Sequence, residues 1–170
     1  MKRLPILKTL TDILFVLSVI IMFFTVPFAF ILAVMPQMIP FELFDVAPTD
    51  IPTGEVIALF IAIPGLVLYM YALYLFRNTL TLFKKNKFFD NQVIINFDRI
   101  GKAIIAGFFI TTMPLYFYTM FAETVLLLKN DESWFTGDTL FTLVLGLFFI
   151  VLSEVFRTAK AMQEENDLTV

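Results

Sequence analysis

The chain has 170 residues, of which 59% are hydrophobic, 22 are Phe and only 16% are charged. A soluble domain averages about 45–50% apolar and about 25% charged residues, and a chain this short cannot enclose a core large enough to hide such a surplus. There is no Cys and no His, which excludes disulfides, thiolate metal sites and Cys nucleophiles, removes the commonest general base and transition-metal ligand, and leaves no call for a cofactor or a metal.

Four stretches lack charge along the chain: 13–41, 56–76, 103–122 and 139–153. A span needs about 20 apolar residues, because ~30 Å of hydrocarbon is crossed at 1.5 Å per residue. The first three satisfy this outright. The fourth has 15 uncharged residues and must borrow Trp134, Phe135 and the turn around Val155 and Phe156, with Asp138 near the interface. The expected fold is therefore all-α, a single-domain integral membrane four-helix bundle. Its spans are expected at about 13–35, 56–76, 103–122 and 135–155, with outer loops 36–55 and 123–134, an inner loop 77–102 and a tail 156–170.

The sides follow from Lys and Arg. Lys2, Arg3 and Lys8 precede the first span; Arg77, Lys84, Lys85, Lys87, Arg99 and Lys102 lie between the second and third; Arg157 and Lys160 follow the fourth. Of the 12 basic residues only Lys129 falls on the other side. Such a bias marks the cytoplasmic face, so both termini are expected to be cytoplasmic. The first span starts with basic residues, as a signal peptide does. Its uncharged run is too long for one and no clean small-x-small cleavage site follows, so it is expected to be retained.

The outer loop 36–55 holds Pro36, Pro40, Pro48 and Pro52 with Glu42, Asp45, Asp50 and Glu55. It should be extended and turn-rich, with no room for a buried core, and its acids lack Ca²⁺-loop spacing. In the inner loop the second helix should run past Phe83, break at Lys85-Asn86-Lys87 and restart with Asp90 as N-cap. On the restarted helix Val93, Ile94, Phe97, Ile100 and Ile104 form an apolar stripe, with Gln92, Asn96, Arg99 and Lys102 facing away. The basic residues here serve first as a topology signal and a contact for anionic head groups. Nothing has the form of a nucleic-acid recognition module, so no direct nucleic-acid contact is expected. The fourth helix should continue through Met162, and the tail beyond it should be a frayed terminus or a docking peptide whose Leu168 and Val170 enter a partner's pockets by strand addition or in a groove.

Pro27, Pro64 and Pro114 each sit about eight residues from the outer end of a span. Each leaves the carbonyl four residues earlier, at Phe23, Phe60 and Ile110, without its usual donor. Three kinks at one depth could splay the bundle into a cavity with Thr25, Thr111, Thr112, Tyr69 and Tyr116 as polar points. The simpler reading, which takes precedence, is that proline is common in membrane helices, where neighbours satisfy the freed carbonyls. Glu154 is the most interior charge on the basic side. Membrane carboxylates are functional candidates, but Arg157 one turn on explains it as a local ion pair.

The block Lys87-Phe88-Phe89-Asp90-Asn91 followed by Arg99-Ile100-Gly101-Lys102, and the ending Glu164-Glu165-Asn166-Asp167-Leu168-Thr169-Val170, resemble the bacterial family catalogued as domain of unknown function 2975. The resemblance covers nearly the whole chain, and the ending is its more specific part. It implies a four-span protein of the bacterial cytoplasmic (inner) membrane. Genes of that family commonly neighbour one for a small helix-turn-helix repressor, so it also implies a membrane sensor or anchor that holds or releases such a repressor. Phe88, Phe89, Arg99, Asp167, Leu168 and Val170 are the candidate partner-binding residues. The alternatives are an immunity or resistance protein, whose acidic outer loop would capture a cationic peptide, and a small transporter component, which would need a polar path that spans two to four lack. An intramembrane enzyme is not expected, because Ser18 and Ser153 have no identifiable base.

Overall fold

The computed structural model describes residues 4–43, 46–121 and 137–168, without the side chains of 115, 118–121, 137–139 and 167. The outer loop 123–134, with Lys129, lies outside the described residues, as do Lys2, Arg3, Trp134, Phe135 and Val170. The architecture is all-α with four long helices: α1 (Leu4–Val34), α2 (Thr53–Lys84), α3 (Asn91–Phe121) and α4 (Gly137–Leu168). The expected four-helix pattern is present, and every helix exceeds its apolar stretch because the charged flanks are helical too. Asp12, taken from sequence as a boundary, lies inside α1. The inner loop 77–102 shrinks to the six residues between α2 and α3. The fourth helix does not end at Met162 but runs to Leu168, so the tail 156–170 is helical over its described part. Lys160 and Glu164, one turn apart at 3.5 Å, support that extension.

Among the described residues three helices are long and apolar enough to cross a bilayer: α1, α2 and residues Leu140–Asn166 of α4. The stretch that was short by sequence therefore lies in a helix of spanning length. α3 is not among the three; its first half carries Asp98, Arg99 and Lys102, and its apolar part runs into the side chains outside the description.

The α2–α3 connection follows from its residues. Lys85 caps α2, and Asn86 takes a left-handed φ of 58°. The Lys87 amide then donates to the Leu82 carbonyl at 3.1 Å and that of Asn86 to the Phe83 carbonyl at 3.0 Å. This is a Schellman closure, with Asn in the position where a short polar side chain tolerates αL. Asp90 accepts from the Gln92 amide at 2.9 Å, as an N-cap should.

Extensive contacts join α1 to α2, α2 to α3 and α3 to α4, and no comparable contact joins α1 to α3 or α4 among the described residues. The bundle is thus open, with α3 central to its core. That core consists of Ala72 and Leu75 from α2 with Val93, Phe97, Ile100, Ala103 and Ile104 from α3. The α3 stripe is the expected one, but Asn96, expected to face away, is completely buried. It lies three residues after Val93 and four before Ile100, hence on their face. The outer loop also differs from the expectation: Pro36–Met38 and Pro48–Asp50 form 3-10 turns, Leu43 and Val46 bridge, and Ile39 and Val46 are buried. Phe41 stacks on Phe28 of α1.

Candidate functional site

Four glycines set the closest approaches. Gly65 of α2 meets Gly107 of α3, and Gly101 of α3 meets Gly146 of α4. A Cβ on Gly107 would lie 3.2 Å from the Gly65 carbonyl oxygen, and one on Gly101 2.5 Å from that of Gly146. Small residues at such crossings let backbones touch where lipid offers no hydrophobic drive for helix association. Sequence reading gave these glycines no packing role, Gly101 entering only as part of the family-like block, because single helical glycines carry no spacing signal.

Toward the basic end the helices are tied by polar groups and rings. Thr79 donates to the Leu75 carbonyl and accepts from the Asn96 amide at 3.1 Å, while Gln92 donates to the Asn96 oxygen at 2.8 Å. Ser153 is buried and donates to the Ile94 carbonyl at 2.9 Å, which makes it an α4–α3 tie. Lys160 reaches Asn91 at 2.6 Å. Between these ties Phe97 and Phe156 contact each other at 5.2 Å, and both contact Phe83; Phe149 bridges Phe76 and Phe97.

Two of the candidate partner residues belong to this cluster. Phe88 is half-buried, its ring 5.3 Å from Phe83. Phe89 is 40% exposed, its ring 6.1 Å from Phe156. Arg99 is exposed on α3, and Leu168 is 86% exposed at the end of α4. The side chain of Asp167 and all of Val170 lie outside the described residues. The structure thus brings Phe88 and Phe89 to the base of the α4 extension. That extension is helical, so a strand-adding docking peptide does not describe it up to Leu168. Glu154 pairs with Arg157 at 2.8 Å, both exposed, as expected.

On the other flank α1 is held to α2 by Arg77, whose Nε donates to Asp12 Oδ1 and whose guanidinium sits 5.5 Å from the Phe15 ring centroid. Above that pair a cavity of about 220 Å³ lies between Ser18, Met22 and Thr25 of α1 and Leu66, Tyr69 and Leu73 of α2. A second, of about 530 Å³, lies between Tyr69, Leu73 and Phe76 of α2 and Leu145 and Phe149 of α4, over Ile100 and Ile104. Tyr69 and Leu73 line both, so the two cavities adjoin. The cavity begins at Thr25 and Leu66, two residues from Pro27 and Pro64, and runs from there toward the basic end; on α3 its wall, at Ile100 and Ile104, lies ten residues or more from Pro114. It exists because α1 and α4 pack on different helices and leave a gap. Pro27 and Pro64 are exposed, Pro114 is half-buried, and each helix continues through its proline. Of the expected polar points, Thr25 and Tyr69 line the cavity wall; Thr25 and Thr111 also bond back to their own helices. Among the described residues no group of three or more acids gathers as a metal cage.

Residues 13–170 match the profile of the family described as protein of unknown function (DUF2975). The chain belongs to that family. It is a multi-pass membrane protein, and its bilayer contact rests on the same apolar helices. No curated protein and no solved structure matches it.

Proposed function

We propose that this protein is a non-catalytic membrane anchor whose basic end faces the cytoplasm. There it receives a small helix-turn-helix repressor, and a membrane-borne signal changes its hold on that partner. One observation carries the reading: beyond the Lys160–Asn91 tie, α4 extends alone for about two turns as an exposed helix. Met162 and Leu168 are exposed on it beside Glu164 and Glu165. An acidic helix with apolar points suits a basic, groove-bearing partner, since charge steers the encounter and buried apolar anchors hold it. Phe89 and Arg99 lie on the same end of the bundle, and the rigid cluster beneath would transmit a change in helix packing to it.

Two experiments test this. Because the chain has no native Cys, a single Leu168→Cys reports its side without background. A membrane-impermeant maleimide should label it only after the cells are opened. The adjacent repressor should then co-purify with the detergent-solubilised chain. Unchanged capture by a chain carrying Glu164→Lys, Glu165→Lys and Leu168→Ser would refute the docking surface, and labelling in intact cells would refute the orientation.

A further inference from the structure

We infer that the paired cavity flanking Tyr69 is a binding site for an anionic phospholipid drawn from the leaflet at the basic end of the bundle. The inference goes beyond the partner reading and does not depend on it. Three of the four helices that line the cleft, α1, α2 and α4, are the ones of spanning apolarity, with Ile100 and Ile104 of α3 behind them, so the occupant comes from the bilayer. The lining carries no charge; its polar groups are the hydroxyls of Ser18, Thr25, Tyr69 and Thr142. That composition accepts acyl chain and excludes an ionic solute. The cleft also has a floor, because Phe76 and Phe149 meet edge to face at 5.9 Å and shut it toward the basic end between α2 and α4.

Among the described residues, the α1–α2 side is where the charge is complementary to a head group. Arg77 lies one turn below Leu73 and pairs with Asp12. Lys8, one turn below Asp12 on α1, is half-buried and has no ion pair among the described residues. Two cations against one carboxylate leave a net positive charge directly under an apolar cavity. A phosphodiester matches it, with guanidinium and ammonium as donors and one acyl chain running past Ser18 and Leu73 toward Tyr69.

Two measurements on the full-length protein test the site. In native mass spectrometry from mild detergent, phosphatidylglycerol should be retained about tenfold better than phosphatidylcholine of the same chains, as one charge-assisted contact warrants. Lys8→Gln should remove most of that preference, and Leu73→Trp, which fills the cleft, should abolish retention of both lipids. In nanodiscs, phosphatidylglycerol with a diazirine on one acyl chain should label the unmodified chain within 18–25, 69–76 and 142–149. Equal retention of the two lipids, or label spread evenly over the exposed α1 face at Ile13, Ile20 and Phe24, would overturn the inference. If Leu73→Trp fails to fold by circular dichroism, the labelling of the unmodified chain decides.

Discussion

Replacing Gly101 by Ala tests whether backbone contact between α3 and α4 organises the bundle. The new Cβ would lie 2.5 Å from the Gly146 carbonyl oxygen, 2.6 Å from Ile150 Cγ1 and 2.9 Å from the Ile150 nitrogen. Two of these three atoms are main chain, so no rotamer change relieves them. Against an optimum separation of about 3.5 Å, α4 must retreat by roughly 1 Å, and a gap of that size forfeits a quarter to a half of each dispersion contact along the seam. Overpacking of this kind costs about 1–3 kcal/mol, while Ala in place of Gly returns up to about 1 kcal/mol of helix propensity. The net expectation is a destabilisation of about 1–2 kcal/mol. Gly146→Ala is the internal control. Its Cβ would meet the side chain of Ile105 at 2.7 Å and the Gly101 oxygen only at 3.2 Å, so a rotamer shift relieves most of the clash and the change should lie within about 0.5 kcal/mol of wild type. The assay is SDS-induced unfolding in mixed micelles followed by circular dichroism. A Gly101→Ala chain as stable as wild type, or more stable than Gly146→Ala, would refute the crossing.

Asn96→Leu should strand Thr79 and Gln92 and cost about 1–2 kcal/mol in the same assay, and a double-mutant cycle with Thr79→Val should show coupling of about 0.5–1.5 kcal/mol. For the α1–α2 seam, Phe15→Cys with Tyr74→Cys, at positions whose rings meet across the seam at 6.1 Å, should form a cross-link with a short bismaleimide. Asp12→Asn should slow its formation, and slowing that is absent would show that the Arg77 pair does not hold α1. Asn86→Val forces a β-branched residue to φ 58° and should destabilise by about 1–2 kcal/mol, whereas Asn86→Gly should be neutral or slightly stabilising. Glu154→Gln should change stability by less than about 0.5 kcal/mol, because its pair is exposed.

The helices, the α2–α3 turn and the α3 core stripe were legible because each rests on local chemistry: uncharged length, Lys85-Asn86-Lys87 with Asp90, and 3.6-residue periodicity. What escaped depends on which helix lies opposite. Asn96 reads as a surface polar residue until Thr79 is placed against it. Gly101 and Gly146 are unremarkable until their helices cross, and Asp12 looks like a span boundary until Arg77, 65 residues away, reaches it. The cavity was not legible for the same reason: the reading given precedence took Pro27, Pro64 and Pro114 as ordinary membrane-helix prolines, and each helix runs through its proline, while the gap depends on α1 and α4 packing on different neighbours. The end of α4 was set too early because Glu164, Glu165 and Asn166 break the apolar pattern, yet all three are compatible with a solvated helix and Lys160 supports it at i,i+4.

These features give the protein two unequal halves, and the inequality bears on mechanism. α2, α3 and α4 are locked together by two glycine crossings farther along the helices and, at the basic end, by the Thr79–Asn96 and Ser153–Ile94 hydrogen bonds and the ring cluster around Phe97. α1 has no such fastening. Only Thr11, Ala29 and Leu32 of its 31 residues are buried, and the Asp12–Arg77 pair is its one polar link to α2 among the described residues. Large side chains such as Phe23, Phe24 and Ile6 are more than 60% exposed, so lipid must supply most of what surrounds this helix. A helix so held can shift against α2 at little cost in protein contacts, and the adjoining cavities are the space that such a shift would open or close. Movement of α1 therefore needs no rearrangement of the core. It alters the cleft and the Arg77 seam directly and reaches the α4 extension through α2, by way of α3 and the Phe76–Phe149 and Phe83–Phe156 contacts. A shift of α1 should thus leave α2, α3 and α4 together as one three-helix unit.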